Sequence, residues 1–265
     1  MIAPRLGLCS VTFRALPAAE VLRLGVAAGL DCVEWGADVH APPSDPAALA
    51  EVRDRTVDAG LRVASYGAYW RAGVHPLEDL RPLLGAARVL GAPRVRVWAG
   101  DCGTDAATDE TWRRVGDATR AAGELAQAQG LRLGLEFHGR TLTDSADSTV
   151  RLLELVDHPA VVPYWQPRLD DEPEAALEGL RSLVDRVDAV HVFSWWPRDH
   201  RLPLADRADL WQPVLTELLG RHPGTDLLLE FVPGDDPSRL ATEAATLRRW
   251  VQDVSARAAT RRRPG

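Results

Sequence analysis

The sequence is poor in the features that would place a chain in an oxidising compartment, in a bilayer or on nucleic acid. Three cysteines, Cys9, Cys32 and Cys102, are scattered through 265 residues with no C-x-x-C pair. An odd, dispersed set excludes a disulfide framework and a zinc ribbon and fits a reducing compartment. No run approaches the roughly 20 apolar residues that span a bilayer. The chain enters a short strand-like run almost at once, without a signal peptide's charged start and long apolar stretch. Lys and Arg total 31 against 38 Asp and Glu, a formal charge of −7, whereas a nucleic-acid surface needs a basic face. The one basic run, Arg261-Arg262-Arg263 beside Pro264-Gly265, reads as part of a frayed tail over residues 258–265. No Pro/Gly/Ser-rich linker divides the chain, and no G-x-G-x-x-G follows the first strand-like run, where a dinucleotide fold would carry it. The expectation is one cytoplasmic domain over residues 1–257, with neither nucleic acid nor membrane as partner.

What the chain does have is a repeat. Ala28-Gly29-Leu30, Ala59-Gly60-Leu61, Leu90-Gly91-Ala92 and Gln129-Gly130-Leu131 each end an alanine- and leucine-rich helical pattern, and a short β-branched or leucine run follows. Glycine takes the left-handed conformation just past a helix end, so each unit reads as helix, stop, strand. Eight strands are expected, near Leu6–Cys9, Cys32–Trp35, Val63–Tyr66, Val95–Trp98, Leu131–His138, Val161–Tyr164, Ala189–Phe193 and Leu227–Phe231. A first helix starts near Pro17, and a last one opens at Asp236-Pro237 and runs towards Val251. Eight strands alternating with eight helices in a chain of this length predict a single closed (β/α)8 TIM barrel.

In such a barrel the C-terminal strand ends form the mouth where chemistry takes place. Those ends carry Glu34 with His40 six residues on, Trp70, Trp98, Glu136 with His138, Trp165-Gln166, His191 with Trp195-Trp196 beyond, and Glu230. Charged groups on successive strand ends converge on one axis, and burying them unpaired is costly. A divalent cation satisfies carboxylates and an imidazole together. Indole faces suit sugar rings or a flat aglycone, and Arg198 and Arg201 offer charge to an anionic group.

Leu135-Glu136-Phe137-His138, Val190-His191-Val192-Phe193 and Leu229-Glu230-Phe231 resemble motifs of the xylose isomerase-like superfamily, in its sugar phosphate isomerase/epimerase branch. The resemblance implies a metal held by Glu, Asp, His and Glu at the ends of strands five to eight, the two Glu doubling as acid and base. Glu136, His191 and Glu230 match three ligands, while Gln166 stands where the family has Asp, and Leu169 where it often has His. A neutral amide keeps the coordination geometry and weakens the attraction for a 2+ ion. The implied function is a sugar or polyol isomerase or epimerase using Mn2+, Mg2+ or Co2+. It would move a proton next to a carbonyl through an enediolate, with Glu136 and Glu230 as acid and base. His138, Glu34, His40, Trp70, Trp98, Trp165, Trp195, Trp196, Arg198 and Arg201 are expected around a small carbohydrate. Two alternatives are a lyase or dehydratase on the same barrel, or a non-catalytic metabolite-binding barrel with a degenerate metal site. A DNA-repair endonuclease on this barrel would need several more His ligands and a basic surface. The oligomeric state is left open, a homo-oligomer included.

Overall fold

A computed structural model describes residues 3–261. Eight parallel strands close on themselves in sequence order, with Gly7 of the first beside Leu228 of the last. They are β1 Leu6–Cys9, β2 Cys32–Gly36, β3 Arg62–Arg71, β4 Arg94–Trp98, β5 Arg132–Glu136, β6 Val161–Trp165, β7 Ala189–Val192 and β8 Asp226–Leu229. Around them run α1 Ala18–Ala27, α2 Pro46–Asp58, α3 Leu80–Leu90, α4 Asp109–Gln127, α5 Ala146–Val156, α6 Pro173–Leu183, α7 Ala208–Arg221 and α8 Leu240–Arg261. This is the single (β/α)8 barrel expected from the repeat. No helix of the described residues is long and apolar enough to cross a membrane.

The repeat's glycines do what their position requires. Gly91 caps α3 at φ 73°, its N–H returning to Arg88, and Gly29, Gly60 and Gly130 sit in the same left-handed region. Pro17 flanks α1, and Asp236 caps a short 3-10 turn, Pro237–Arg239, that leads into α8. That last helix outruns the expected Val251 by ten residues; residues 262–265, within the expected tail, lie outside the described residues.

Two strand boundaries differ from expectation in ways that shape the mouth. β3 continues five residues past Tyr66, so Tyr69 and Trp70 belong to the strand. β8 stops at Leu229, because Phe231 takes φ 56°, a conformation that no strand continues through. The Phe231 N–H is held by the Thr12 hydroxyl at 3.0 Å, which ties the end of the barrel to its beginning.

Strand alternation sorts the side chains into two cores. Val95 and Val97 of β4 join the large apolar core between sheet and helices, while Arg94 and Arg96 turn into the barrel. Small residues such as Cys32, Ala64 and Ala189 make room for them there. At the lower, N-terminal end Arg94 donates to the Tyr164 hydroxyl, Asp188 and Asp226. Arg5 grips Asp226 with two bonds of 2.6 and 2.7 Å, and Arg132 pairs with Asp188. This plug closes the floor below the mouth.

Candidate metal centre and active site

Arg96 lies across the mouth almost wholly buried. Its guanidinium donates to Glu136 Oε2 at 2.6 Å from one side and meets Glu34 Oε1 at 3.3 Å on the other. It reaches that place by crossing Gly67 of β3, where a Cβ would stand 2.6 Å from the guanidinium nitrogen. Glu136 Oε2 accepts a second bond from the Trp98 indole N–H, and Glu34 Oε2 one of 2.6 Å from the Ser65 hydroxyl.

Beside this pair of ion pairs sits His191, fully buried. Its Nδ1 is 2.9 Å from Gln166 Oε1, 3.6 Å from Glu230 Oε2 and 3.7 Å from Glu136 Oε1. Its Nε2 is 3.5 Å from Glu34 Oε1 and has no hydrogen-bond partner. The only other buried side-chain nitrogen or oxygen without a partner among the described residues is Trp195 Nε1, also at the mouth. Buried polar atoms are ordinarily paired, so two orphans in one place mark a site that receives something.

The electrostatics of the cluster favour a cation. Three buried carboxylates, Glu34, Glu136 and Glu230, face one guanidinium, so with His191 neutral the balance is 1 − 3 = −2. Burial opposes ionisation of Glu34, yet Arg96 and His191 outweigh it and hold the carboxyl well below the usual range. Burial works against a proton on His191 too, but Glu230 and Glu34 push that imidazole up to about 9. At Glu230 burial, opposed by His191 and reinforced by Glu136, pushes the carboxyl up to about 7. The cluster thus draws positive charge onto its own histidine.

His191 and Glu230 present donor atoms within reach of one ion, with Glu136 the outlying carboxylate. Oxygen and nitrogen donors about 2.1 Å from one ion stand roughly 3.0–3.4 Å apart. The spacings of 2.9–3.7 Å around His191 Nδ1 are close to that. Glu136 Oε1, Gln166 Oε1, His191 Nδ1 and Glu230 Oε2 are the atoms that would hold it, with Glu34 behind His191 as the carboxylate that orients a ligating imidazole.

Above the cluster opens a cavity of about 680 Å³, lined by Glu136, His138, Gln166, Glu230, Trp98 and Trp195 among others. Two aromatic walls face each other across it. On one side Trp98 stacks with His138 at 4.7 Å, and on the other Trp195 lies between Phe193 at 5.2 Å and Phe231 at 5.0 Å. His138 Nδ1 bonds the Gly139 carbonyl and leaves Glu136 to Arg96 and Trp98.

Other residues picked out at strand ends take different roles. His40 is buried between the Ser10 hydroxyl and the Leu16 carbonyl. Trp70 donates to the Pro76 carbonyl, and Trp165 packs edge-on against Trp211 in the helical layer. Trp196 lies under Arg207, and Arg198 is exposed. Arg201 pairs with Asp235 and lies over the Phe231 ring. None of these six lines the cavity; its arginines are Arg96 and, at the rim, Arg14, Arg140 and Arg168. Arg96 and Gly67 were the residues to find in the sequence: arginine alternating with valine in Arg94-Val95-Arg96-Val97, and a lone glycine inside a strand pattern, which marks close backbone approach.

Solved structures share the whole fold at low identity. The probable 3-DHS dehydratase AsbF involved in petrobactin synthesis, from Bacillus anthracis, is 18% identical with a TM-score of 0.80, over 92% of this chain and 98% of that one. An L-ribulose 3-epimerase is 18% identical with a TM-score of 0.77, over 98% and 100%. A xylose isomerase-like TIM barrel protein from Mycobacterium smegmatis, in complex with magnesium, is 16% identical with a TM-score of 0.76, over 96% and 99%. No curated protein matches the sequence. The family described as xylose isomerase-like TIM barrel matches residues 22–251, and the chain belongs to it.

Proposed function

We propose that the chain is a metal-dependent enzyme that moves a proton next to the carbonyl of a small sugar or sugar-like polyol, an isomerase or epimerase. The observation that carries this reading is the set of three buried carboxylates, opposed by one guanidinium, converging on His191 beneath an open cavity. A bound divalent ion would supply Lewis-acid polarisation of the substrate carbonyl. Glu136, Gln166, His191 and Glu230 would hold it.

The two glutamates are unequal partners in this chemistry. Glu136 Oε2 is occupied by Arg96 and Trp98, which hold the group in place. Glu230 opens on the cavity, its carboxyl raised to about 7 in the metal-free protein, and is placed to take and return a proton. The aromatic walls take the apolar faces of the substrate, and the Trp195 N–H is available to one of its oxygens.

The same inequality favours a second reading, a lyase or dehydratase. Delivering a proton to the opposite face calls for two free groups, whereas elimination needs one base and a leaving group. The epimerase and the dehydratase among the structural neighbours represent these two outcomes.

Metal analysis of the purified protein, with and without Gln166→Asp, tests the core of the proposal. Bound divalent metal is expected in the wild type and tighter binding, by about tenfold, in the variant with the added carboxylate; no metal in either would sink the metal-assisted mechanism. L-ribulose and 3-dehydroshikimate in deuterated water then probe the proton transfer. Deuterium incorporation without loss of water from the substrate supports the isomerase, dehydration the lyase, and either activity should vanish in Glu230→Gln.

A further inference from the structure

We infer that the substrate carries one anionic group, a carboxylate or a phosphate, and that Arg140 and Arg168 bind it at the rim of the cavity. This rests on the proton-transfer reading above and narrows its substrate to a sugar acid or a sugar phosphate. Four arginines line the cavity, and two of them are spent. Arg96 is divided between Glu34 and Glu136, while Arg14 pairs with Asp38 and donates to the Tyr69 hydroxyl. Arg140 and Arg168 line the same cavity with no side-chain ion pair or hydrogen bond among the described residues.

Their backbones, by contrast, are fixed. Arg140 follows β5 and Arg168 follows β6, and these strands are neighbours, so the two arginines stand on adjacent loops. The first loop is closed by the His138 N–H on the Thr143 carbonyl at 3.0 Å. At its tip Arg140 takes φ 61°, a region that glycine enters at lower cost. In the second loop the Arg168 N–H is held by Asp171 Oδ2 at 3.3 Å. Each loop thus fixes the stem of an arginine and leaves its charged end unspent.

The charge balance points the same way. A divalent ion brings the inner cluster to −2 + 2 = 0. The remaining carboxylate that lines the cavity, Asp144, is committed to the Thr104 N–H and hydroxyl and to Ser148. The rim therefore keeps an excess of 2 − 1 = +1 on a chain of formal charge −7. A local positive excess on an acidic protein draws in anions. The guanidinium fork matches the paired oxygens of a carboxylate or phosphate. The anion contact expected of Arg198 and Arg201 passes to these two.

Binding of matched pairs to the cobalt-loaded protein, followed by calorimetry, tests this without relying on turnover. Ribitol is compared with ribitol 5-phosphate, and shikimamide with shikimate; none carries a ketone, so all bind without reacting. One pair adds a phosphate and the other a carboxylate. At least one anionic member should bind about tenfold more tightly than its neutral partner, and the arm that responds names the group. The preference should fall to about threefold or less in Arg140→Gln and in Arg168→Gln, and vanish in the double variant. Both side chains are exposed, so the variants should fold. No preference in either pair, or a preference that survives in the double variant, would overturn the inference. If the protein holds metal, either of those results leaves the proton-transfer reading standing. A protein that holds no metal would sink the metal-assisted mechanism whatever the anions do.

Discussion

The two ends of this barrel are organised around arginines two residues apart on β4, and they differ in whether every carboxylate finds a guanidinium. At the lower end Arg94, Arg5 and Arg132 meet Asp188 and Asp226, and each carboxylate has at least two guanidinium partners. At the mouth Arg96 alone meets Glu34 and Glu136, with Glu230 beside His191. A buried network complete within itself is scaffold. One left with surplus negative charge is built to accept something from outside, and the paired arginines let the two cases be told apart within one strand.

The largest expected effects break each network at its arginine. Arg94→Met leaves Asp226 and Asp188 short of their central partner and should cost about 3–5 kcal/mol in denaturant unfolding, whether or not divalent metal is present. Arg96→Met should cost a similar amount in metal-free protein, but saturating cobalt should recover at least half of the loss, because the ion offsets the same carboxylates. An equal response to metal at both positions would erase the distinction.

A smaller effect concerns pH. Metal-free, His191 is raised to about 9 in the fold, so its contribution is complete below the unfolded value near 6.5 and is lost as pH rises through 9. Glu230, raised to about 7, is held protonated by the fold, so its cost appears as pH climbs from about 4.5 through 7. Both act in the same direction. Stability of the metal-free protein, followed by thermal melts, should therefore fall between about pH 4.5 and 9, and Glu230→Gln should flatten the slope throughout, because it removes its own titration and the largest charge holding the His191 proton. Arg94→Met should leave the slope as it is.

Much of the site was legible in the sequence because strand ends are legible. Glu136, His191 and Glu230 follow or close short apolar runs, and the glycine stops fix how many such runs there are. What strand-end position cannot specify is the face on which a side chain emerges. Trp165 and His40 sit at the expected height and turn into packing. Arg96 was hidden for the opposite reason: alternation of arginine with valine is also the pattern of a strand with one wet face, and only closure of the barrel makes the arginine face an interior. The loop arginines show the same limit. Arg198, whose charge had suggested an anion contact, lies away from the cavity, and Arg198→Ala should shift stability by less than about 0.5 kcal/mol and leave cobalt affinity, measured by titration of the metal-free protein, unchanged.

The bare Cα of Gly67 has a consequence for how this site can change over generations. Alanine there sets its Cβ 2.6 Å from the Arg96 guanidinium and 3.0 Å from Glu34 Oε1, so it displaces the ion pairs while Arg96 remains; a methionine at 96 removes the guanidinium contact and leaves only Glu34 to give way. The two positions are thus epistatic: the glycine is easier to replace once the arginine has gone.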